Sequence, residues 1–156
     1  MQGGLAWLLI FCLAGALVWA CVGDWRSRTI TNRLNLAIAL GAIPFWWASG
    51  LSLWPEVALQ IALALGVFAL FALAFRLGMM GGGDVKLVAA LALWLPLPAL
   101  AKLLVVMSLA GGVLTLAMII LHRRAKAEGQ LEIPYGIAIA VGGFWVIGER
   151  ILNQFV

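Results

Sequence analysis

The sequence predicts an all-α membrane protein, a polytopic bundle of about six transmembrane helices. Of its 156 residues, 65% are hydrophobic and 10% are charged, whereas a soluble domain has roughly 45–50% apolar and about 25% charged residues. The mean hydropathy of +1.13 agrees with that class. Because a span needs ~20 apolar residues, the chain has room for about six helices with short loops. We therefore expect a single transmembrane domain over residues 1–156.

Six apolar stretches give the predicted helices. The first is twenty residues without a charge and lacks the basic start of a secretory signal, so we expect a retained helix. The fourth has only about eleven residues before Pro96, too few for a full span, and a re-entrant segment is the alternative. The stretches run from about Gly4 to Gly23, Leu34 to Ser49, Pro55 to Arg76, Val85 to Leu95, Ala99 to Leu121 and Pro134 to Ile151.

The basic residues predict which end of the bundle faces the cytoplasm. Lys102 and Arg150 fall on one side, and eight residues on the other: Arg26, Arg28, Arg33, Arg76, Lys86, Arg123, Arg124 and Lys126. Since cytoplasmic loops carry the excess of Lys and Arg, this bias predicts a non-cytoplasmic N-terminus. The basic residues are scattered at helix ends, so the net charge of +4 does not indicate a nucleic-acid partner.

No metal, nucleotide or other cofactor is expected. Cys12 and Cys21 would lie about 13 Å apart along one helix, too far to pair. No Cys/His cluster in the sequence suggests a metal site. A phosphate-binding loop needs the pattern GxxxxGK[ST], whereas here an aspartate, which would repel phosphate, follows the last glycine of the glycine cluster.

That glycine cluster, Gly81-Gly82-Gly83-Asp84, separates the third and fourth predicted helices. Glycines allow backbone conformations closed to other residues and let a neighbouring chain approach closely. An ionised carboxylate at membrane depth is costly unless something uses or compensates it, so Asp84 is a candidate functional residue. The alternative is that Asp84 caps the fourth helix by accepting backbone N–H bonds, and the two roles could coexist.

Asp24, just beyond the first predicted span, is the second candidate. Taken alone, an acid beside arginines is more often a solvated charge. The chain has only six acids, however, and both Asp24 and Asp84 are predicted at the cytoplasmic rim. Two carboxyl groups brought close cannot both ionise readily, so one keeps a proton while the other acts as a base. Aspartic proteases use such a pair to activate water and to protonate or hydrogen-bond the peptide carbonyl.

Three features in order resemble the prepilin peptidase, or type IV leader peptidase, family of GxGD aspartic membrane proteases. They are Asp24 followed by Ile30 and Asn32, the GxGD element ending at Asp84 and followed by Lys86, and Pro134-Tyr135-Gly136 opening the last helix. GxGD alone is a weak pattern, whereas the ordered set is specific and covers the whole chain. The resemblance implies removal of a short basic leader from prepilin or pseudopilin precursors, at the cytoplasmic face of the bacterial inner (plasma) membrane.

The resemblance also implies roles for individual residues. Asp24 and Asp84 form the catalytic pair, and Lys86 biases its ionisation, with a cytoplasmic anchor as the alternative role of that lysine. The residues expected to bind substrate or support the pair are Gly81, Gly83, Lys86, Asn32, Pro134, Tyr135 and Gly136. Thr31 stands where many members have proline, which affects the loop shape but not the acid. The sequence resembles the compact, peptidase-only members, so no methyltransferase activity is expected.

Two alternatives stay open. A protease of the presenilin or signal-peptide-peptidase kind would have its first acid within a Tyr-Asp pair, whereas this chain has Gly23-Asp24, and a Pro-Ala-Leu in place of Pro134-Tyr135-Gly136. A small proton- or cation-coupled transporter or channel subunit would use the same two acids. Such a path usually has an ionisable group near the bilayer midplane, and none lies deep within predicted helices one, two, five or six.

Overall fold

A computed structural model describes residues 2–124 and 133–153 of the chain, and every regular element within them is helical. The all-α prediction is therefore confirmed for these residues. Lys126, one of the basic residues that set the predicted orientation, lies outside them. A short π-helical turn, Leu53–Val57, precedes the third helix. The helices are α1 Gln2–Ser27, α2 Asn32–Ala48, α3 Ala58–Arg76, α4 Gly82–Ala92, α5 Leu97–Arg124 and α6 Tyr135–Leu152.

Four segments of the described chain are long and apolar enough to cross a membrane. They are Gly3–Ser27, Leu53–Arg76, Leu97–Arg124 and Tyr135–Leu152. Helix α2 has 17 residues and α4 has 11, short of the ~20 that a full span needs. The chain is thus a helical membrane protein with four candidate spans, and the prediction of about six spans is met only in part.

Glycines bring the helices around α6 into close contact. Helix α6 packs on both α1 and α5. A Cβ atom added to Gly142 would lie 2.8 Å from the Leu103 carbonyl oxygen of α5, and one added to Gly143 would lie 2.7 Å from Leu17 of α1. Lipid tails are as apolar as leucine, so membrane helices associate through such close packing rather than through the hydrophobic effect. These contacts fix the position of α6 between its neighbours.

Helix α4 lies in the interior of the bundle, against α2 and α3. Seven of its eleven residues are buried. Two indole N–H groups fix its far end: Trp94 donates to the Ile38 carbonyl oxygen at 2.9 Å, and Trp46 to the Leu93 carbonyl oxygen at 2.8 Å. Because these bonds hold α4 against α2, they also set the position of its first turn.

Two helix ends differ from the prediction where they affect the candidate acids. Helix α1 continues to Ser27, so Asp24 lies in its last turn instead of beyond it. Helix α4 begins at Gly82 instead of Val85, so Asp84 lies inside its first turn. Glycine and aspartate have low helix propensity, which predicts early helix ends, but tertiary contacts override such preferences.

Candidate active site

Asp24 is held at the end of α1 by the start of α6. Only 4% of its surface is exposed. Its Oδ2 atom accepts a hydrogen bond from the backbone N–H of Gly136 at 2.7 Å, across 112 positions of sequence. The first N–H groups of a helix have no partner within that helix and carry the positive end of its dipole, so they can hold a carboxylate. The first and the last of the three sequence motifs therefore meet at Asp24.

Position 136 leaves no room for a side chain. A Cβ atom there would lie 2.8 Å from Asp24 Oδ2, 3.0 Å from Asp24 Cβ and 2.8 Å from Ile30 Cδ1. The missing side chain of Gly136 is thus what lets its N–H reach the carboxylate. Pro134, two positions earlier, is buried and precedes the first turn of α6. The resemblance implies that these residues bind substrate or support the pair, and the structure adds a direct contact between Gly136 and Asp24.

Asp84 is the third residue of α4 and is 7% exposed. The residue that caps this helix is Gly81, so the alternative that made Asp84 the cap is wrong. Burial and, to a lesser degree, the negative charge of Asp24 raise the pKa of Asp84 to about 7, and the backbone N–H of Gly81 offsets part of that rise. A carboxyl group with this pKa can hold or release its proton near neutral pH, as general acid–base chemistry requires.

Ile30 lies against two glycines, Gly83 beside Asp84 and Gly136 that binds Asp24. A Cβ atom added to Gly83, next to Asp84, would lie 3.0 Å from the Ile30 carbonyl oxygen, and one added to Gly136 would lie 2.8 Å from Ile30 Cδ1. Both glycines therefore pack on the segment that follows α1. The structure brings Asp24, Asp84, Gly81, Gly83 and Gly136 to one end of the bundle, where the charge of Asp24 acts on Asp84.

Lys86 is bound to Asn32. Its Nζ atom donates a hydrogen bond to Asn32 Oδ1 at 2.7 Å, and both side chains are exposed. The contact ties the first turn of α4 to the first residue of α2. The causes that raise the pKa of Asp84 are its burial and Asp24, so the predicted influence of Lys86 on the ionisation of the pair has no support in this geometry.

Sequence reasoning missed Asn35, one helical turn after Asn32. It is 4% exposed, and its Nδ2 atom donates a hydrogen bond to the Gly83 carbonyl oxygen at 2.9 Å. Asn35 therefore holds the glycine that precedes Asp84 against α2. A polar residue inside an apolar helix was the available signal, because such a residue is costly in a membrane without a partner.

Arg28 was counted only as a basic loop residue, yet it lies beside Asp24. It follows α1 with a φ of 54°, in the left-handed region that glycine usually occupies at helix ends. Its backbone N–H donates to the Asp24 carbonyl oxygen at 3.0 Å, and its positive charge acts on the Asp24 carboxylate. Its Nη1 atom is buried without a hydrogen-bond partner among the described residues. Arginine thus occupies a position where glycine would cost less backbone strain.

A comparison with protein families finds one matching model, described as the type IV leader peptidase family, over residues 9–116. The match covers more than half of the chain and contains both Asp24 and Asp84, while Pro134-Tyr135-Gly136 lies outside it. Searches of curated proteins and of solved structures find no match.

Proposed function

The chain belongs to the type IV leader peptidase family, and we propose that it removes the leader peptide from type IV prepilin or pseudopilin precursors, with Asp24 and Asp84 as the catalytic pair. The observation that carries this proposal is the pairing of the two buried acids at one end of the bundle, where burial and the charge of Asp24 raise the pKa of Asp84 to about 7. Family membership favours a protease over the transporter alternative.

The two acids have different surroundings, which suggests their roles. Burial opposes the charged form of Asp24, whereas the hydrogen bond from the Gly136 N–H and the positive charge of Arg28 favour it, so we assign Asp24 as the base. Asp84 keeps its proton near neutral pH and acts as the acid. Asp24 takes a proton from a water molecule, the water oxygen attacks the peptide carbonyl carbon, and Asp84 gives its proton to the carbonyl oxygen.

The resulting tetrahedral intermediate then collapses. The C–N bond breaks, the proton taken up by Asp24 passes to the leaving amine, and Asp84 recovers its proton from the hydroxyl of the intermediate as the carbonyl reforms. Both acids return to their starting states, so each turnover consumes one water and releases a leader carboxylic acid and a mature N-terminus. Gly81, exposed beside Asp84, leaves space for the substrate backbone.

The distribution of basic residues supports a cytoplasmic location for the catalytic pair. Arg26, Arg28 and Arg33 follow Asp24, and Arg76 and Lys86 flank Asp84. Since basic residues mark the cytoplasmic side, we propose that cleavage takes place there, in a bacterial inner membrane. The leader of the precursor carries positive charge, so the charged Asp24 attracts it locally despite the basic loops.

Co-expression with candidate precursors tests this function. Precursors encoded by neighbouring genes are expressed with and without the protein, and leader removal is followed by a gel shift and by mass spectrometry of the new N-terminus. We expect a shift that depends on the protein. A precursor of matched length whose leader has its basic residues replaced serves as the specificity control. If every precursor inserts into the membrane but none is shortened, the protease assignment is wrong and the transporter alternative gains support.

Leader cleavage is expected to decline as pH rises through about 7. Asp84 has a raised pKa of about 7, so below this pH it holds the proton that it donates, and above it the proton is lost. The rate kcat/KM should then fall about tenfold for each further pH unit. The measurement is kcat/KM from pH 5.5 to 9 in proteoliposomes, with a size-exclusion profile at each pH to show that the protein stays folded. A rate that stays constant up to pH 9 would contradict the role of Asp84 as the acid.

Arg28→Gly is expected to stabilise the protein and to slow cleavage. Glycine adopts a φ of 54° without strain, so the free energy of unfolding should rise by ~1 kcal/mol. The loss of the positive charge beside Asp24 should lower kcat about tenfold and shift the acidic limb of the pH–rate profile, whereas Arg28→Lys should retain most of the activity. Thermal unfolding in detergent and cleavage kinetics measure the two effects. Normal kcat in Arg28→Gly would show that the arginine charge has no catalytic importance.

A further inference from the structure

An apolar cleft runs between α3 and α5, and we call it the α3–α5 cleft. Its wider part has a volume of about 520 Å³ and extends along α3 to Ala74 and along α5 to Ile119. A second cavity of about 390 Å³ lies between the same two helices, towards Ala62 and Leu97. The two parts adjoin, because Leu70 lines one and Phe71 the other. The two cavities therefore follow one another along the same pair of helices, and the α3–α5 cleft comprises both.

The length of the α3–α5 cleft matches the thickness of a membrane. Its lining on α5 extends from Leu97 to Ile119, which corresponds to about 33 Å at 1.5 Å per residue. The hydrocarbon core of a bilayer is about 30 Å thick. Helices α3 and α5 are also the least buried of the candidate spans, with 17% of the apolar window of each buried. The cleft is thus long enough for one further spanning helix.

One end of the cleft reaches the candidate active site. Met79 and Met80, which line it, directly precede Gly81, the residue that caps the helix of Asp84. Tyr135, which also lines it, directly precedes Gly136, whose N–H binds Asp24. A chain lying in the cleft would therefore enter the active site between the two backbone segments that hold the acids.

The lining of the cleft suits the apolar surface of a helix. Methionine side chains, such as those of Met80 and Met107, adapt their shape to different partners. Gly112 is exposed in the middle of α5, and a Cβ atom added there would have no neighbour within 4 Å. Small residues on a helix surface let a second backbone approach closely in lipid.

The family resemblance implies a precursor that is a membrane-inserted apolar helix with a basic leader. We propose that the α3–α5 cleft binds that helix, with its N-terminal end at Asp24 and Asp84. This assignment rests on the proposed leader peptidase function and adds where the substrate lies. The spanning helix fills the cleft, the bond to be cleaved lies beside Gly81, and the basic leader extends beyond the end of the bundle. The cleft then adds a second determinant of which precursors are accepted, since its lining contacts the helix while Asp24 attracts the basic leader.

Photocrosslinking tests where the substrate lies. The photoreactive residue p-benzoylphenylalanine replaces Gly112 in the Asp84→Asn variant, which should bind precursor without cleaving it. The matched control carries it in place of Gly15, which is also exposed, lies in the middle of α1 and also has no neighbour within 4 Å of an added Cβ. We expect crosslinks to the precursor's apolar helix from position 112 and none from position 15. Crosslinks from position 112 only to lipid, or only to a second copy of this chain, would overturn the assignment.

Kinetics of filled-cleft variants give the second test. Gly112→Leu places a large side chain in the cleft and should raise KM for the precursor by roughly tenfold or more, while Gly15→Leu should leave KM unchanged. An unchanged KM in Gly112→Leu would reject the cleft as the substrate site while the protease function stands. If the unmodified protein fails to shorten any precursor, the proposed function itself fails. The two failures are therefore distinguishable.

Discussion

Asp84→Asn and Asp24→Asn are each expected to abolish leader cleavage while the chain stays folded and inserted. An amide cannot take a proton from water or give one to the carbonyl oxygen, so kcat should fall by at least ~10³-fold. The amide is nearly the same size as the acid, so packing around these two buried side chains is preserved. The measurement is the rate of leader removal by purified variants, with thermal unfolding measured in parallel.

Glu149→Gln is the matched control for both substitutions. Glu149 lies near the other end of α6 and pairs with Lys102 at 2.7 Å, with the Lys102 side chain 54% and the Glu149 side chain 38% exposed. An exposed ion pair contributes at most about 1 kcal/mol, so this variant should keep full activity and nearly full stability. Near-normal turnover in either aspartate variant would refute the assignment of the catalytic pair.

The pH dependence of stability separates catalysis from folding. The pKa of Asp84 is raised in the folded protein to about 7 from the ordinary value of 3.8. The unfolded chain therefore loses this proton first, and the free energy of unfolding should decrease as pH rises from about 4 to about 7. Asp84→Asn removes this dependence, so at pH 8 it should be at least as stable as the unmodified protein. Loss of cleavage together with retained stability in Asp84→Asn would then show that the substitution impairs catalysis and not folding.

Gly136→Ala is expected to lower leader cleavage by ~10²- to 10³-fold. The added methyl group would lie 2.8 Å from Asp24 Oδ2, so the carboxylate must move away from the N–H that holds it. A displaced catalytic group of this kind costs about 10²-fold for each ångström of misplacement. The measurement is kcat/KM for leader removal, and the shift should come mainly from kcat because the acid itself is moved.

Gly148→Ala controls for the effect of alanine on the helix. Gly148 also lies in α6, and a Cβ atom there would have no neighbour within 4 Å. Alanine favours a helix over glycine by about 1 kcal/mol, so this variant should be slightly more stable and fully active. If Gly136→Ala is as active as Gly148→Ala, the bond between α6 and Asp24 has no role in catalysis.

Much of the site's composition was predictable from the order of short motifs. Asp24, Asp84 and the glycines at 81, 83 and 136 were all singled out, and the family to which they pointed is confirmed by the match over residues 9–116. Their catalytic roles stay predictions. The contacts of Asn35 and Arg28 were missed because nothing in the local sequence indicates which residues they lie against in the fold. Asn35 bonds to a residue 48 positions away, and Arg28 is distinguished by its backbone conformation.

The sequence by itself determined that this is a helical membrane protein with two acids near helix ends. Composition suffices for that, because a bilayer accepts only segments that are apolar and satisfy their own backbone hydrogen bonds. Only the tertiary structure decided that Gly136 binds Asp24, that Ile30 lies against both Gly83 and Gly136, and that a cleft remains between α3 and α5. Helices that are apolar on nearly every side carry no periodicity to indicate which faces meet, so these contacts follow from close packing and the placement of glycines.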